Sequence, residues 1–247
     1  MKPVVLFCQW FGGNFPEYFQ SFLRRMRQVH GVELVVPTDR VTGYTQLGNV
    51  TMFGCDESEL IRRLASIGVN WKPGTLAGVD RRKPCDLRPV LAAVFPEYVE
   101  DCDVWGWCDA DIVMGSMAYC LERMASADVY STAPGQVNGP LTLFRKSTTG
   151  DLYEYCGDWR SPIESPNYEF FDEIGFTHAV KHAMQLGVCD LKSEYSHSHS
   201  GLDDRTSDAP GISIDASGRL WDDIHQREIA FFHFPQWKQW PNVKGLA

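Results

Sequence analysis

The sequence predicts an α/β fold with a mostly parallel central sheet flanked by helices. Three observations at its start carry this. VVLFC at 4–8 is a continuous apolar run, as a strand buried on both faces requires, and Gly12-Gly13 turns the chain after it. Pro16 then opens a stretch in which Phe19, Phe22, Leu23, Met26 and His30 recur at helical spacing. VELVV at 32–36 reads as a second strand that stops at Pro37-Thr38-Asp39. A strand–helix–strand opening predicts parallel pairing, with binding loops beyond the carboxyl ends of the strands.

The remaining elements follow in order. NVTMFGC at 49–55 is a third strand, and DESELIRRLASIG a helix whose Asp56 and Glu59 stand at capping-box spacing. From about 70 to 84 periodicity fails, and Pro, Gly and the basic Arg81-Arg82-Lys83 cluster read as an irregular loop, mobile without ligand. LRPVLAAVF at 87–95 reads as helix, DVWGWC as strand, SMAYCLERMA as helix, and DVYST and LTLF as strands. FDEIGFTHAVKHAMQLG has an acidic first turn and Gly187 at its end, both suited to a helix. SHSHSGLDDRTSDAPG at 196–211 reads as a polar loop and a second mobile segment. ISIDASGRLWD is a hairpin around Ser217-Gly218, and EIAFFHF a last strand.

With 247 residues and 44% hydrophobic content the chain can bury the core of one domain, 1–247. Its 23 basic and 32 acidic residues give a net charge of -9, which argues against nucleic acid as a partner. No segment reaches transmembrane length, and MKPVVLFCQWFGG is too short an apolar start for a secretory signal. Eight cysteines without a C-x-x-C pair, several in apolar runs, fit free thiols in a reducing, cytoplasmic setting.

The chemistry gathers at WGWCDADIVMG, 105–115, where an apolar strand runs into Asp109 and Asp111. Residues i and i+2 of an extended strand end face the same way, so the two carboxylates can converge on Mg²⁺ or Mn²⁺. Asp101 and Asp103 repeat the D-x-D spacing in a polar loop without such a strand behind them. The plain alternative is that Asp109 and Asp111 end a strand and cap the following helix. His178 and His182, at i and i+4, lack the glutamate of a zinc-protease motif. His197 and His199 fall in the polar loop.

The ordered set CQWFGGNFPEYF, VVPTD, KPCDLRPVLAAVFPEYV, WGWCDADIVMG, NGPLTLFRKS, FDEIG and FFHFPQWK resembles a group of small bacterial glycosyltransferases with the GT-A fold, found in polysaccharide loci and largely of unassigned specificity. Arg88 stands where lysine is expected, and 196–211 matches nothing in the group.

The resemblance implies a nucleotide-binding half, 1–115, and an acceptor-binding half, 116–247. It makes Asp111 a metal ligand, with Asp109 beside it or on the ribose, and His233 the late histidine that completes the site. Lys238 would face the leaving group. Trp10, Phe11, Gly12 and Asp39 would hold base and ribose, and Lys83, Asp86 and Arg88 the rest of the nucleotide. Gly139 and Arg145 would shape the sugar and acceptor side, and Glu173 would be the general base of an inverting transfer, assisted by Asp172. The implied partners are a nucleotide-sugar donor, UDP-hexose by frequency in the fold, and a saccharide or lipid-linked saccharide acceptor. Peripheral membrane association is compatible with the latter.

Competing readings are a haloacid dehalogenase-type phosphatase, with Asp203-Asp204 as its later acidic pair, a sugar nucleotidyltransferase, and a non-catalytic carbohydrate-binding module. The first wants its D-x-D near the start of the domain, and the second a basic glycine-rich loop after the first strand, which WFGGNFP does not supply.

Overall fold

A computed structural model describes residues 2–76, 80–194, 197–199, 208–234 and 241–245. Its strands are β1 (Val4–Phe7), β2 (Val32–Thr38), β3 (Tyr44–Leu47), β4 (Val50–Gly54), β5 (Val104–Cys108), β6 (Ile112–Met114), β7 (Val129–Ser131), β8 (Leu141–Arg145), β9 (Leu191–Ser193), β10 (His197–His199), β11 (Asp208–Ile214), β12 (Leu220–Asp222), β13 (Arg227–Ile229), β14 (Phe231–His233) and β15 (Asn242–Lys244). Eight form the central sheet in the order β3-β4-β2-β1-β5-β8-β7-β9. It is parallel from β4 through β2 and β1 to β5, as the opening pattern predicts. From β8 onward it turns mixed: β8 runs antiparallel to both β5 and β7.

Alternate residues of β1 serve two cores. Val4 and Leu6 pack with the helix Phe19–Gln28, while Val5 and Phe7 pack with Leu60 and Leu64 of the helix Glu57–Ser66 and with Phe176 and Val180 of the helix Phe176–Gln185. Burial on both faces explains why the strand carries an unbroken apolar run. Asp56 caps its helix as expected, accepting from the Glu59 N–H at 2.9 Å.

Four expectations change. LRPVLAAVF is not one helix: a 3-10 stretch, Lys83–Val90, precedes the short turns Leu91–Val94 and Pro96–Val99. Pro89 lacks the N–H that a continuous α-helix uses, and this breaks the run. β3 was invisible because all four of its residues are exposed and nothing apolar marks it. The 196–211 segment contains β10 and the start of β11, and its residues 196 and 200–207 lie outside the described set, as does Asp203-Asp204 of the phosphatase reading.

Finally, EIAFFHF is divided at Ala230: β13 joins the β13-β12-β11-β15 sheet, whereas β14 lies between β10 and β6. That division positions the site. β14 pairs antiparallel with β6 so that His233 stands opposite Ile112, and the Phe234 N–H donates to the Asp111 carbonyl at 2.9 Å. Arg25 secures β6 from behind, donating to the Met114 carbonyl at 2.7 Å and the Gly218 carbonyl at 2.9 Å.

Candidate active site

β1 and β5 end toward the same side, and the chain beyond them, with residues between 81 and 88, lines a cleft of about 310 Å³. Cys8, Gln9, Trp10 and Phe11 line it after β1, and Cys108, Asp109, Ala110 and Asp111 after β5. β1 stands between β2, its successor, and β5, which arrives later. The cleft therefore opens where the strand order reverses, as ligand sites in such sheets do.

Asp109, Asp111 and His233 each turn a donor atom to one point, with all three atoms within 4.8 Å of one another. Asp111 is buried, and its Oδ2 lies 3.5 Å from His233 Nε2. Burial opposes a charged imidazole, yet the Asp111 carboxylate more than offsets it and raises the His233 pKa above its ordinary value. The aspartates do not cap the next helix: β6 intervenes, and Ser116 holds the cap position of Met117–Met124.

Arg88 joins this group to a second one. Its guanidinium donates to Asp109 Oδ1 and, at 2.8 Å, to Asp172 Oδ2. Tyr168 donates its hydroxyl to the other Asp172 oxygen at 3.1 Å. Next to Asp172, Glu173 Oε1 accepts from the Gly139 N–H at 2.9 Å. A β-carbon on Gly139 would lie 2.6 Å from that oxygen and 2.9 Å from Arg88 Nη1, so only glycine lets these groups meet here. Trp107 holds the loop in place through its indole N–H on the Asn138 carbonyl at 3.1 Å, and Asp109 N–H bonds the Pro140 carbonyl at 3.0 Å.

Arg88 thus pairs with Asp109 and Asp172, while Asp111 meets His233 and Glu173 meets the Gly139 N–H. Two carboxylates with an imidazole form a donor set that suits Mn²⁺ or Mg²⁺.

Two residues expected at the nucleotide do other work. Lys83 is 1% exposed and spends its ammonium on Asp86 at 3.0 Å and the Pro162 carbonyl at 2.6 Å, so it cannot reach a phosphate. Asp86, equally buried, accepts from the backbone N–H groups of Glu169 at 2.9 Å and Phe171 at 2.8 Å. The pair clamps the turn that carries Asp172 and Glu173. Between the two clamped amides Phe170 adopts φ 55°, which costs a non-glycine residue about 1–2 kcal/mol. The chain then continues as a π-type turn, Phe171–Gly175, into the helix. Lys83→Met should leave the Asp86 charge buried and unpaired and lower unfolding free energy by about 3–5 kcal/mol, read from urea melts.

Arg145 is also misplaced by the sequence reading. Antiparallel pairing sets it opposite Val104, at the far end of β5 from Asp109, where it bonds the Ala127 carbonyl and pairs with Asp128. Gly12 and Asp39 contact each other, the Gly12 N–H lying 3.2 Å from the carboxylate, but neither lines the cleft. Trp10 and Phe11 do line it. Lys238 lies outside the described residues. Gln9, Tyr18, Arg81, Arg82 and Cys85 line the cleft without having been expected there. Position alone could have flagged Gln9, which directly follows the first strand, whereas Tyr168 carries no sequence signal at all.

A family model matches residues 6–209, described as a family of unknown function (DUF6625). The chain belongs to this DUF6625 family. The matched span includes Arg88, Asp109, Asp111, Gly139 and Glu173 but not His233. No curated protein matches. Among solved structures, the galactosyltransferase LgtC in complex with donor and acceptor sugar analogues aligns at a TM-score of 0.47 and 10% identity, covering 94% of this chain and 86% of that one. Mouse xyloside xylosyltransferase 1 aligns at 0.45 and 10%, covering 81% and 88%.

In this DUF6625 protein Asp172 also makes a pH prediction. Burial, only partly countered by Arg88, pushes its carboxyl up to about 7. The folded chain therefore holds this proton more tightly than the unfolded chain, whose aspartates titrate at about 4. Its stabilising contribution is complete below that value and is lost as pH rises through about 7. Urea melts of the metal-free wild type should weaken between pH 5 and pH 8 relative to Asp172→Asn, and parallel pH curves would count against this role.

Proposed function

We propose that the protein is a metal-dependent glycosyltransferase of GT-A type, moving a sugar from a nucleotide diphosphate donor, UDP-hexose in the first instance, to a hydroxyl of a saccharide acceptor with inversion. The observation that carries this reading is the convergence of Asp109, Asp111 and His233 at one end of the cleft with Glu173 across Arg88 and Gly139. A cation held by Asp111, His233 and Asp109 would supply Lewis-acid stabilisation of the departing diphosphate.

The chain's own groups do the rest. Trp10 offers apolar surface to a base at the end of β1, with the buried Phe11 beside it. Asp109, fixed by Arg88, cannot swing away from the metal position. Glu173 takes the proton of the acceptor hydroxyl as its oxygen bonds to the anomeric carbon and the bond to diphosphate breaks, which releases the nucleoside diphosphate. The Gly139 N–H holds one oxygen of Glu173 and leaves the other for that proton. In this reading 1–115 serves the nucleotide and 116–247 the acceptor, lipid-linked or free.

Supporting it are the D-x-D context, the Asp109–Asp111–His233 donor set and the resemblance to enzymes of polysaccharide loci, which makes bacterial surface polysaccharide the expected product class. No helix among the described residues is long and apolar enough to cross a membrane. The reading is tested by incubating the protein with Mn²⁺ or Mg²⁺ and a panel of nucleotide sugars and measuring free nucleotide. Chelator-sensitive release from one donor is expected, and no release from any donor would overturn it.

A further inference from the structure

We propose that Phe170 and Ile174 form a saccharide-binding platform beside Glu173, which receives one pyranose ring by its C–H face. The inference rests on the glycosyltransferase reading for its role, as the acceptor subsite, but its physical basis is separate. Phe170 is 40% exposed and Ile174 59%, among the few large apolar side chains that face water in the described structure. Scattered exposed apolar residues need no explanation. These two differ in how they are held.

Phe170 occupies the left-handed region, where Asn or Gly would be at ease and an aromatic residue is strained. The strain is imposed from below: Asp86, neutralised by Lys83, takes the amides on either side of it. A buried ion pair thus fixes a backbone shape that an aromatic residue disfavours, and the ring stays partly in water. Such outliers, held by their surroundings, cluster where ligands bind.

Location says which ligand. The Phe170 carbonyl accepts from the Glu173 and Ile174 N–H groups, at 3.3 and 2.9 Å, so ring, aliphatic chain and candidate base share one turn. The Tyr168 ring packs on Phe170 with centroids 4.3 Å apart, and Arg82, a wall of the cleft, lies over both rings at 5.0 and 5.6 Å, which braces Phe170, leaves the rest of its ring to the sugar and joins the platform to the donor cleft. The apolar surface amounts to two side chains among charged ones, too small for an acyl chain. A pyranose matches it: one face of C–H groups for the aromatic ring, and hydroxyls at its edge for Glu173 and Arg82.

The test is saturation-transfer NMR with methyl glycosides of glucose, galactose, mannose and N-acetylglucosamine and their β-linked disaccharides, in UDP and Mg²⁺. Wild type should transfer saturation to the C–H protons of one pyranose face. Phe170→Asn, which suits the left-handed backbone and so keeps the fold, should bind that sugar about tenfold more weakly, while Phe170→Tyr should retain it. Equal binding by Phe170→Asn, or no binding of any sugar by wild type, overturns the platform. UDP affinity is measured in parallel by calorimetry. Its absence in wild type with sugar binding intact would sink the transferase reading and leave the platform standing, so the two failures are distinguishable.

Discussion

Asp111→Asn is expected to keep the fold and to lose metal-dependent nucleotide binding by about 10²-fold or more, since even residues one shell behind a metal cost up to that when removed. The fold should survive because the carboxylate works mainly inside the site. It faces His233 at 3.5 Å, and the strand pairing that holds residue 111 runs through its backbone carbonyl, which the substitution leaves in place. Burial pushes the Asp111 carboxyl upward, His233 counters this and Asp109 adds to it, so a neutral amide removes an attraction and a repulsion together in the metal-free chain. A retained cooperative melt with lost Mn²⁺-dependent UDP binding, by calorimetry with and without chelator, is the expected pair of results. Identical UDP affinity in wild type under both conditions would remove the metal from the mechanism.

Glu173→Gln should slow sugar transfer by about 10²-fold or more with little change in donor affinity, because a general base acts on the transition state and not on the bound donor. Glutamine keeps a carbonyl oxygen for the Gly139 N–H, so the turn should not shift. Asp172→Asn separates the neighbours. Asp172 is buried against Arg88 and Tyr168 with no oxygen free for an acceptor, so its loss should act through Arg88 and disturb the Asp109 side. Donor affinity should therefore change in Asp172→Asn and turnover in Glu173→Gln. Product from an α-linked donor, read by NMR, should be β-linked. A retained anomer, or full turnover in Glu173→Gln, would return the carboxylate to a role in starting its helix.

The platform and the carboxylates depend on the same buried pair. Lys83 and Asp86 touch no cleft space, yet through the amides of Glu169 and Phe171 they set the angle at which Glu173 and Phe170 leave the turn. The family resemblance had implied that both, with Arg88, hold the nucleotide. Only Arg88 of the three lines the cleft. Polarity in sequence does not reveal burial, and a salt bridge completed by a distant backbone leaves no local pattern.

By itself the sequence determined the α/β class, the parallel start of the sheet and the strand that delivers Asp109 and Asp111. Each of these is local: an apolar run for a strand buried on both faces, helical spacing after Pro16, and side-chain alternation at a strand end. The tertiary structure alone decided which distant groups meet there. β14, cut from β13 at Ala230, slides antiparallel along β6 and lays His233 beside Asp111, more than a hundred residues earlier in the chain. The antiparallel run of β8 sends Arg145 to the wrong end of the sheet while bringing Gly139 to Arg88. Strand register is set by what each face buries across the whole sheet, and that information is spread over residues far apart in sequence.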